Sequence, residues 1–367
     1  MVHKRSKRHG FGGGSLISKG IRAIMAVVVL TAFVLGITFS VKQLSAFDYS
    51  AFAKITSPYL TKLGFGEIAE QFFKQMSNYS SSTEESAAPE VPSTTYTRTD
   101  SQRTAPEGRV LFSLAIISDS HIANDKPEYI NNKEHLRTAL LKVKELGLGI
   151  DTVIHTGDIT NLGVLGDLQE AKQILNESDL KYYALPGDRD LFQSVSTANF
   201  LKVFGDNKFV FEKDGVKFVG LDNSASYTPI SQENMNWFKN EIADADFVIF
   251  SQPLYSDGYL LFNYLYMGSS GEEAADASLA EKQAEVKAQR DELLEAVRGS
   301  NVKAVLAGDH HRSDSAVDAE EPSLEHYVIG ATSEVVGEYS QSILQPQKFG
   351  VLKVYENGGY IVEDILL

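Results

Sequence analysis

The sequence predicts an α/β layered fold with mixed sheets, and two observations carry that reading. From Arg109 onward, apolar strand-like runs alternate with amphipathic helical stretches, and toward the C-terminus the strands follow one another more densely. Several of these runs also close on Asp, His or Gly-Asp clusters, which is where α/β folds gather side chains from strand ends.

Taken in order, Val110–Ser118 is apolar almost throughout, as a strand buried on both faces must be. Leu136, Ala139, Leu140, Val143 and Leu146 recur at helical spacing and mark an amphipathic helix. Asp151–Thr156 is the next strand and runs into Gly157-Asp158. Leu168, Ala171 and Leu175 predict a second helix, followed by a strand over Tyr182–Pro186 that leads into Gly187-Asp188-Arg189-Asp190. Further strands are expected at 209–213, 217–222, 246–251, 303–307, 326–331, 349–355 and 359–364. The stretch 277–298 reads as a long helix with Leu279, Val286, Leu293 and Val297 on one face and Gly299 as its stop. No internal repeat is visible.

The region before this domain has a different texture. Residues 1–22 form a basic tail with Lys4, Arg5, Lys7, Arg8, Lys19 and Arg22, and no acid precedes Asp48. Ile24–Val41 is free of charge and near the length that crosses about 30 Å of hydrocarbon as a helix, so an anchor is expected over 23–42. A cleaved signal peptide would have a shorter apolar core and a better cleavage site than Leu44-Ser45-Ala46. The basic flank places the N-terminus in the cytoplasm, giving a single-pass membrane protein whose remaining residues lie outside it. Residues 43–77 are expected to hold a juxtamembrane helical segment with Ile68, Phe72, Phe73 and Met76 on one face, which lies on lipid, binds a partner or packs against the main domain. Residues 78–107, rich in Ser, Thr, Pro and Glu, read as a flexible linker, leaving 108–367 as the folded domain.

Composition narrows the function. The chain of 367 residues is 43% hydrophobic and 23% charged, ordinary for a globular protein. It has no cysteine, which excludes disulfides and thiolate metal sites. A net charge of −15 argues against a basic nucleic-acid-binding surface.

Five blocks carry possible metal donors: Asp119-x-His121, Gly157-Asp158 with Gly163, Gly187-Asp188-Arg189-Asp190, Ser251-Gln252-Pro253 and Gly308-Asp309-His310-His311. If the first strand continues extended, Asp119 and His121 point to the same side. Order and spacing resemble the calcineurin-like metallophosphoesterase family, with its D-x-H, G-D-x-x-x-x-G, G-N-H-D, H-before-Pro and G-H-x-H blocks. The likeness covers about residues 110–367, including Asp151–Asp158 and Phe218–Asp222 between blocks. Its first two blocks are intact and the other three diverge.

This resemblance implies a sandwich of two mixed β-sheets flanked by helices, with two adjacent divalent-metal sites sharing one carboxylate. The first site would take Asp119, His121, Asp158 and His311. The second would take Asp158 with Asp188, Ser251 and Asp309, three positions where the family has Asn, His and His. The second half has therefore become all oxygen, which suits Mg²⁺, Mn²⁺ or Ca²⁺, whereas the first half also suits Zn²⁺ or iron. The family's third-block His, its phosphate-steadying or leaving-group residue, is Arg189. Arginine can bind phosphate bidentately but cannot serve as a general acid near neutral pH. Either a second hard metal sits among Asp158, Asp188 and Asp309, or Arg189 supplies the positive charge there.

The implied activity is metal-assisted hydrolysis of a phosphate monoester or diester, with Asp158 and Arg189 as the catalytic pair beside the metal ligands. A fold that has lost turnover and binds a ligand, metal or partner at the cell surface is the alternative. Other groups have plainer expectations. His155 reads as packed or supporting a ligand, His310 as an exposed bystander, and Asp190 as orienting its neighbours. His135 and His326 read as structural. The aromatic run Tyr255, Tyr259, Phe262, Tyr264 and Tyr266 reads as packing, with a base-stacking rim as the other possibility. Asp222-Asn223 has no assigned role.

Overall fold

The computed structural model describes residues 95–97, 105–255, 266–268, 277–333 and 346–367. The expected tail, membrane anchor and juxtamembrane helix lie outside these residues, as do Tyr259, Phe262 and Tyr264. Among the described residues no helix is long and apolar enough to cross a membrane.

Two six-stranded mixed sheets face one another. The first runs β1 (Thr95–Thr97), β12 (Tyr360–Leu366), β11 (Lys348–Tyr355), β2 (Val110–Ile117), β3 (Thr152–His155) and β4 (Lys181–Ala184). Its β2, β3 and β4 are parallel, and β11 and β12 return antiparallel. The second runs β5 (Lys208–Lys213), β6 (Val216–Leu221), β7 (Phe247–Phe250), β8 (Ala304–Ala307), β10 (Glu325–Val328) and β9 (Asp314–Val317). There β6, β7, β8 and β10 are parallel, with antiparallel edges.

Alternation along β2 explains its unbroken apolar run. Leu114 and Ile116 face the second sheet, packing with Phe218, Phe247, Leu306 and Tyr327. Ala115 and Ile117 face α1 (Asn132–Glu145), α2 (Leu165–Glu177) and α3 (Ala198–Phe204). On the far side, α4 (Gln232–Glu241) and α5 (Ala277–Arg298) cover the second sheet through Met235, Phe238, Val286, Leu293 and Val297. Leu279, expected on the buried face of α5, is 38% exposed. Between the sheets, Tyr183, Phe211, Phe218 and Phe247 form a run of stacked rings 4.1–5.2 Å apart.

Four elements went unread in the sequence. The α3 helix is only seven residues long, and the edge strand β9 (Asp-Ser-Ala-Val) has little apolar signal. Helix α4 starts at Ser231, whose side chain accepts from Asn234 N, but buries few residues. Within the stretch expected as a linker, Thr95–Thr97 pairs antiparallel with β12. A Thr-Tyr-Thr segment suits such an open sheet edge.

Candidate metal centre

The donors sit on short loops past the carboxyl ends of β2, β3 and β8, and the backbone there is unusual. Asp119, His121, Asp158 and His311 have φ of 53°, 44°, 50° and 55°, and Asp309 has 73°. None is glycine, so each left-handed turn costs roughly 1–3 kcal/mol and persists because the surroundings hold it. The extended path expected through Asp119 and His121 is therefore corrected. β2 ends at Ile117, and left-handed turns aim the two side chains.

Backbone hydrogen bonds lock these loops together. Asp119 N donates to Gly157 O at 3.1 Å and His121 N to Asp158 O at 2.9 Å. Gly308 N donates to Ser251 O at 2.9 Å, and Thr332 N to Ser118 O at 3.0 Å. Two glycines are required by close approach. A Cβ on Gly187 would lie 2.0 Å from Asp158 Oδ1, and one on Gly308 would lie 2.0 Å from Ser118 Oγ.

Four side chains converge in the first cluster. Donor atoms of Asp119, His121, Asp158 and His311 all lie within 4.8 Å of one another. The Nε2 atoms of His121 and His311 are 2.9 Å apart. Asp119 Oδ1 is 3.5 Å from His311 Nε2 and 3.9 Å from His121 Nε2, while Asp158 Oδ2 is 3.7 Å from His121 Nε2. Asp119 Oδ1 is buried without a hydrogen-bond partner. A buried, orphaned carboxylate oxygen facing two imidazole nitrogens fits a divalent ion in its donor chemistry.

The second, less buried cluster joins Asp158, Asp188 and Asp309, again with oxygens within 4.8 Å. The Arg189 backbone N–H donates to Asp158 Oδ1 at 3.0 Å. Its guanidinium Nε is 3.8 Å from Asp188 Oδ1, with the side chain 33% exposed. Sequence reasoning missed two residues here. Gln252 Nε2 donates to Asp309 Oδ1 at 3.4 Å, while its Oε1 is buried without a partner. Asn223 fixes that loop: its Oδ1 accepts from Ser251 N and Gln252 N, and its Nδ2 donates to Gln252 O. Ser251 is buried, and its Oγ lies 2.6 Å from where a Cβ on Gly157 would stand.

Burial, reinforced by like groups nearby, sets the electrostatics. Burial, then the charges of His311 and Arg189, hold His121 well below its ordinary range, and burial with Arg189 brings His311 down to about 4. Burial pushes Asp119 well up despite the Ser118 hydroxyl donor, and burial with Asp188, Asp119 and Asp309 does the same to Asp158. Asp309 rises to about 7 through burial and Asp188, and burial raises Asp188 against Arg189. Both imidazoles are thus neutral and ready to ligate, while carboxyl protons await displacement by a cation.

Supporting residues surround the donors. Asp190 binds no donor group of the clusters. It accepts from Ile159 N, Thr160 N, Thr160 Oγ1 and Gly187 N, at 2.7–3.0 Å, tying the second block to the third. His155 accepts from Gly157 N through Nδ1, so Nε2 donates to Ser120 Oγ at 2.7 Å. His310, expected to be exposed, is buried. His135 pairs with Gln347 and His326 with Asp318, both away from the clusters. Tyr255 stacks on His326 and Tyr266 lies 4.5 Å from Arg290, so these two rings pack within the protein.

Known proteins resemble parts of this chain. A probable glycerophosphodiester phosphodiesterase from Arcobacter nitrofigilis is 28% identical over 137 residues, spanning 34% of this chain and half of that protein's length. A probable cyclic nucleotide phosphodiesterase from Rhodococcus erythropolis is 26% identical over 232 residues, covering 60% of this chain and 71% of the relative. Among solved structures, a dimetal phosphatase from Danio rerio aligns with 68% of this chain and 94% of its own at 13% identity and a TM-score of 0.47. The model of the calcineurin-like phosphoesterases matches residues 112–313, more than half of the sequence, and that stretch holds both clusters; the chain belongs to this family.

Proposed function

We propose that this protein is a membrane-anchored, extracytoplasmic, metal-dependent phosphoesterase that hydrolyses a phosphate diester or monoester with two divalent ions. One observation carries the reading: four first-cluster donors, each on a strained left-handed residue, converge with an unpaired buried carboxylate oxygen. Strain kept at all four of these donors supports a functional arrangement, because strained residues cluster at active sites. The names of the two relatives, both phosphodiesterases, favour a diester. The charge-free stretch Ile24–Val41 behind a basic tail supports the anchor and the outward orientation.

Bound divalent ions supply Lewis acidity toward phosphoryl oxygens and lower the pKa of a nearby water. Asp119, His121, Asp158 and His311 would hold the first ion, and Asp158, Asp188 and Asp309 the second. Arg189 stays charged and partly exposed beside them, placed to bind a non-bridging phosphate oxygen and steady charge in the transition state. Asp190 and His155 keep the loops in register without touching substrate.

The test is hydrolysis of aryl phosphate mono- and diesters by the full chain with Mn²⁺, Mg²⁺, Ca²⁺ and Zn²⁺ in turn. Diester turnover lost in Asp158→Ala supports the reading. A folded, ion-loaded protein inert with every metal would overturn it and favour a surface-binding role.

A further inference from the structure

We propose that Gln252 contributes its carboxamide oxygen as a ligand of the second cluster, completing an all-oxygen site with Asp158, Asp188 and Asp309 that prefers a hard divalent cation. The family resemblance points to Ser251 for the side chain from this loop, and the geometry points to its neighbour. Gln252 is 6% exposed, its amide reaches Asp309 Oδ1 at 3.4 Å, and its Oε1 has no hydrogen-bond partner. A buried carboxamide with an orphaned oxygen is costly unless another group satisfies that oxygen. Turning the amide by half a revolution exchanges its two ends and brings the carbonyl oxygen beside Asp309. Two oxygens face to face repel unless a proton or a cation lies between them, and the three carboxylates clustered here favour the cation.

The rest of the loop is built to keep this side chain in place. Asn223 grips the backbone of Ser251 and Gln252 from both sides, and Pro253 follows directly. The resulting donor set is three carboxylates and one amide carbonyl, with no nitrogen. Such a set favours Mn²⁺, Mg²⁺ or Ca²⁺, whereas the first cluster offers two imidazoles to Zn²⁺. The centre would then hold two unlike ions, each selected by its own half.

This inference rests on the two-ion reading above, so the experiment reads ion binding and not turnover. The full chain is stripped with chelator, given one equivalent of Zn²⁺, and titrated with Mn²⁺ followed by electron paramagnetic resonance. Wild type is expected to bind one Mn²⁺ beside one Zn²⁺. Gln252→Leu should weaken Mn²⁺ by about tenfold or more with Zn²⁺ binding intact, and Gln252→Glu should keep or tighten it. Ser251→Ala should leave both unchanged. Wild-type Mn²⁺ affinity in Gln252→Leu, weakened Mn²⁺ in Gln252→Glu or in Ser251→Ala, or a single ion per chain would overturn the proposal. A two-ion protein with these responses but no hydrolysis would uphold it and sink the phosphoesterase reading instead.

Discussion

His121 and His311, 190 residues apart in the chain, bring their Nε2 atoms to 2.9 Å with ring planes at 88°. Burial is the main reason both imidazoles are held below their ordinary range; the neighbouring His311 and Arg189 add to it at His121, and Arg189 and His310 add to it at His311. The pair is therefore a neutral nitrogen donor set across the physiological range.

Ion binding should consequently depend on pH through carboxylates and not through imidazoles. Asp309 holds its proton up to about pH 7, above the ordinary carboxylate range, whereas His311 is neutral down to about 4. A cation must displace carboxyl protons, so second-site affinity falls as pH drops below about 7, where Asp309 is protonated, and the raised Asp158 adds to the loss. The loss approaches about tenfold per pH unit for one displaced proton. Mn²⁺ titrations at several pH values, with proton release read from buffers of different ionisation heat, check this. An affinity independent of pH between about 6 and 8 would rule it out.

Gly187→Ala should abolish ion binding at both clusters. Its Cβ would press to 2.0 Å from Asp158 Oδ1, the carboxylate the clusters share, and the neighbouring contact is backbone that cannot yield cheaply. Gly166→Ala is the contrasting case, because a Cβ there meets nothing within 4 Å and the residue lies in helix α2. That variant should bind ions normally and gain up to about 0.5–1 kcal/mol of stability. Calorimetry of the two variants, with and without Mn²⁺, separates the effects.

Much of the fold and half of the centre were legible in the chain. Buried strands such as β2 announce themselves because both faces are covered, and the four first-cluster donors follow from Asp119-x-His121, Gly157-Asp158 and His311. What stayed hidden is non-local or conformational. Gln252 matters because Asn223, 29 residues earlier, turns its loop toward Asp309, and nothing in Ser-Gln-Pro signals that. Left-handed φ at aspartate and histidine is likewise unreadable where the usual glycine signal is absent. β9 and α3 were missed because they are short and only weakly patterned.

Asp190→Asn should destabilise the protein without removing a ligand. The carboxylate accepts four hydrogen bonds from Ile159, Thr160 and Gly187, and an amide would point an N–H at one or more of those donors. The cost should be about 1–3 kcal/mol. Burial raises the folded pKa of Asp190 to about 6 despite these donors. Its contribution is therefore fully present below the unfolded value and declines as pH rises through 6. The gap between wild type and variant in urea denaturation should be wider near pH 4 than near pH 8; the opposite trend would contradict the assigned shift.

Arg189 sits where the family resemblance expects an imidazole, and this exchange should decide which leaving groups the centre tolerates. Arginine steadies phosphate charge but cannot pass a proton, so esters with good aryl leaving groups should be hydrolysed far faster than alkyl esters. Arg189→His would supply a protonatable group at the same backbone position, which Asp158 Oδ1 still holds through the residue 189 N–H. General acid help contributes typically 10²–10⁴-fold where geometry is ideal, and a single substitution should recover only part of that, roughly tenfold on an alkyl ester. Aryl ester turnover should fall in the same variant, because the fixed charge on the phosphate is lost. The informative quantity is the alkyl-to-aryl ratio of kcat as a function of pH. It should rise in Arg189→His and decline again at alkaline pH as the imidazole loses its proton. Arg189→Lys retains charge without a useful acid, so its ratio should stay at the wild-type level; equal ratios in all three proteins would mean that residue 189 does not govern the leaving group.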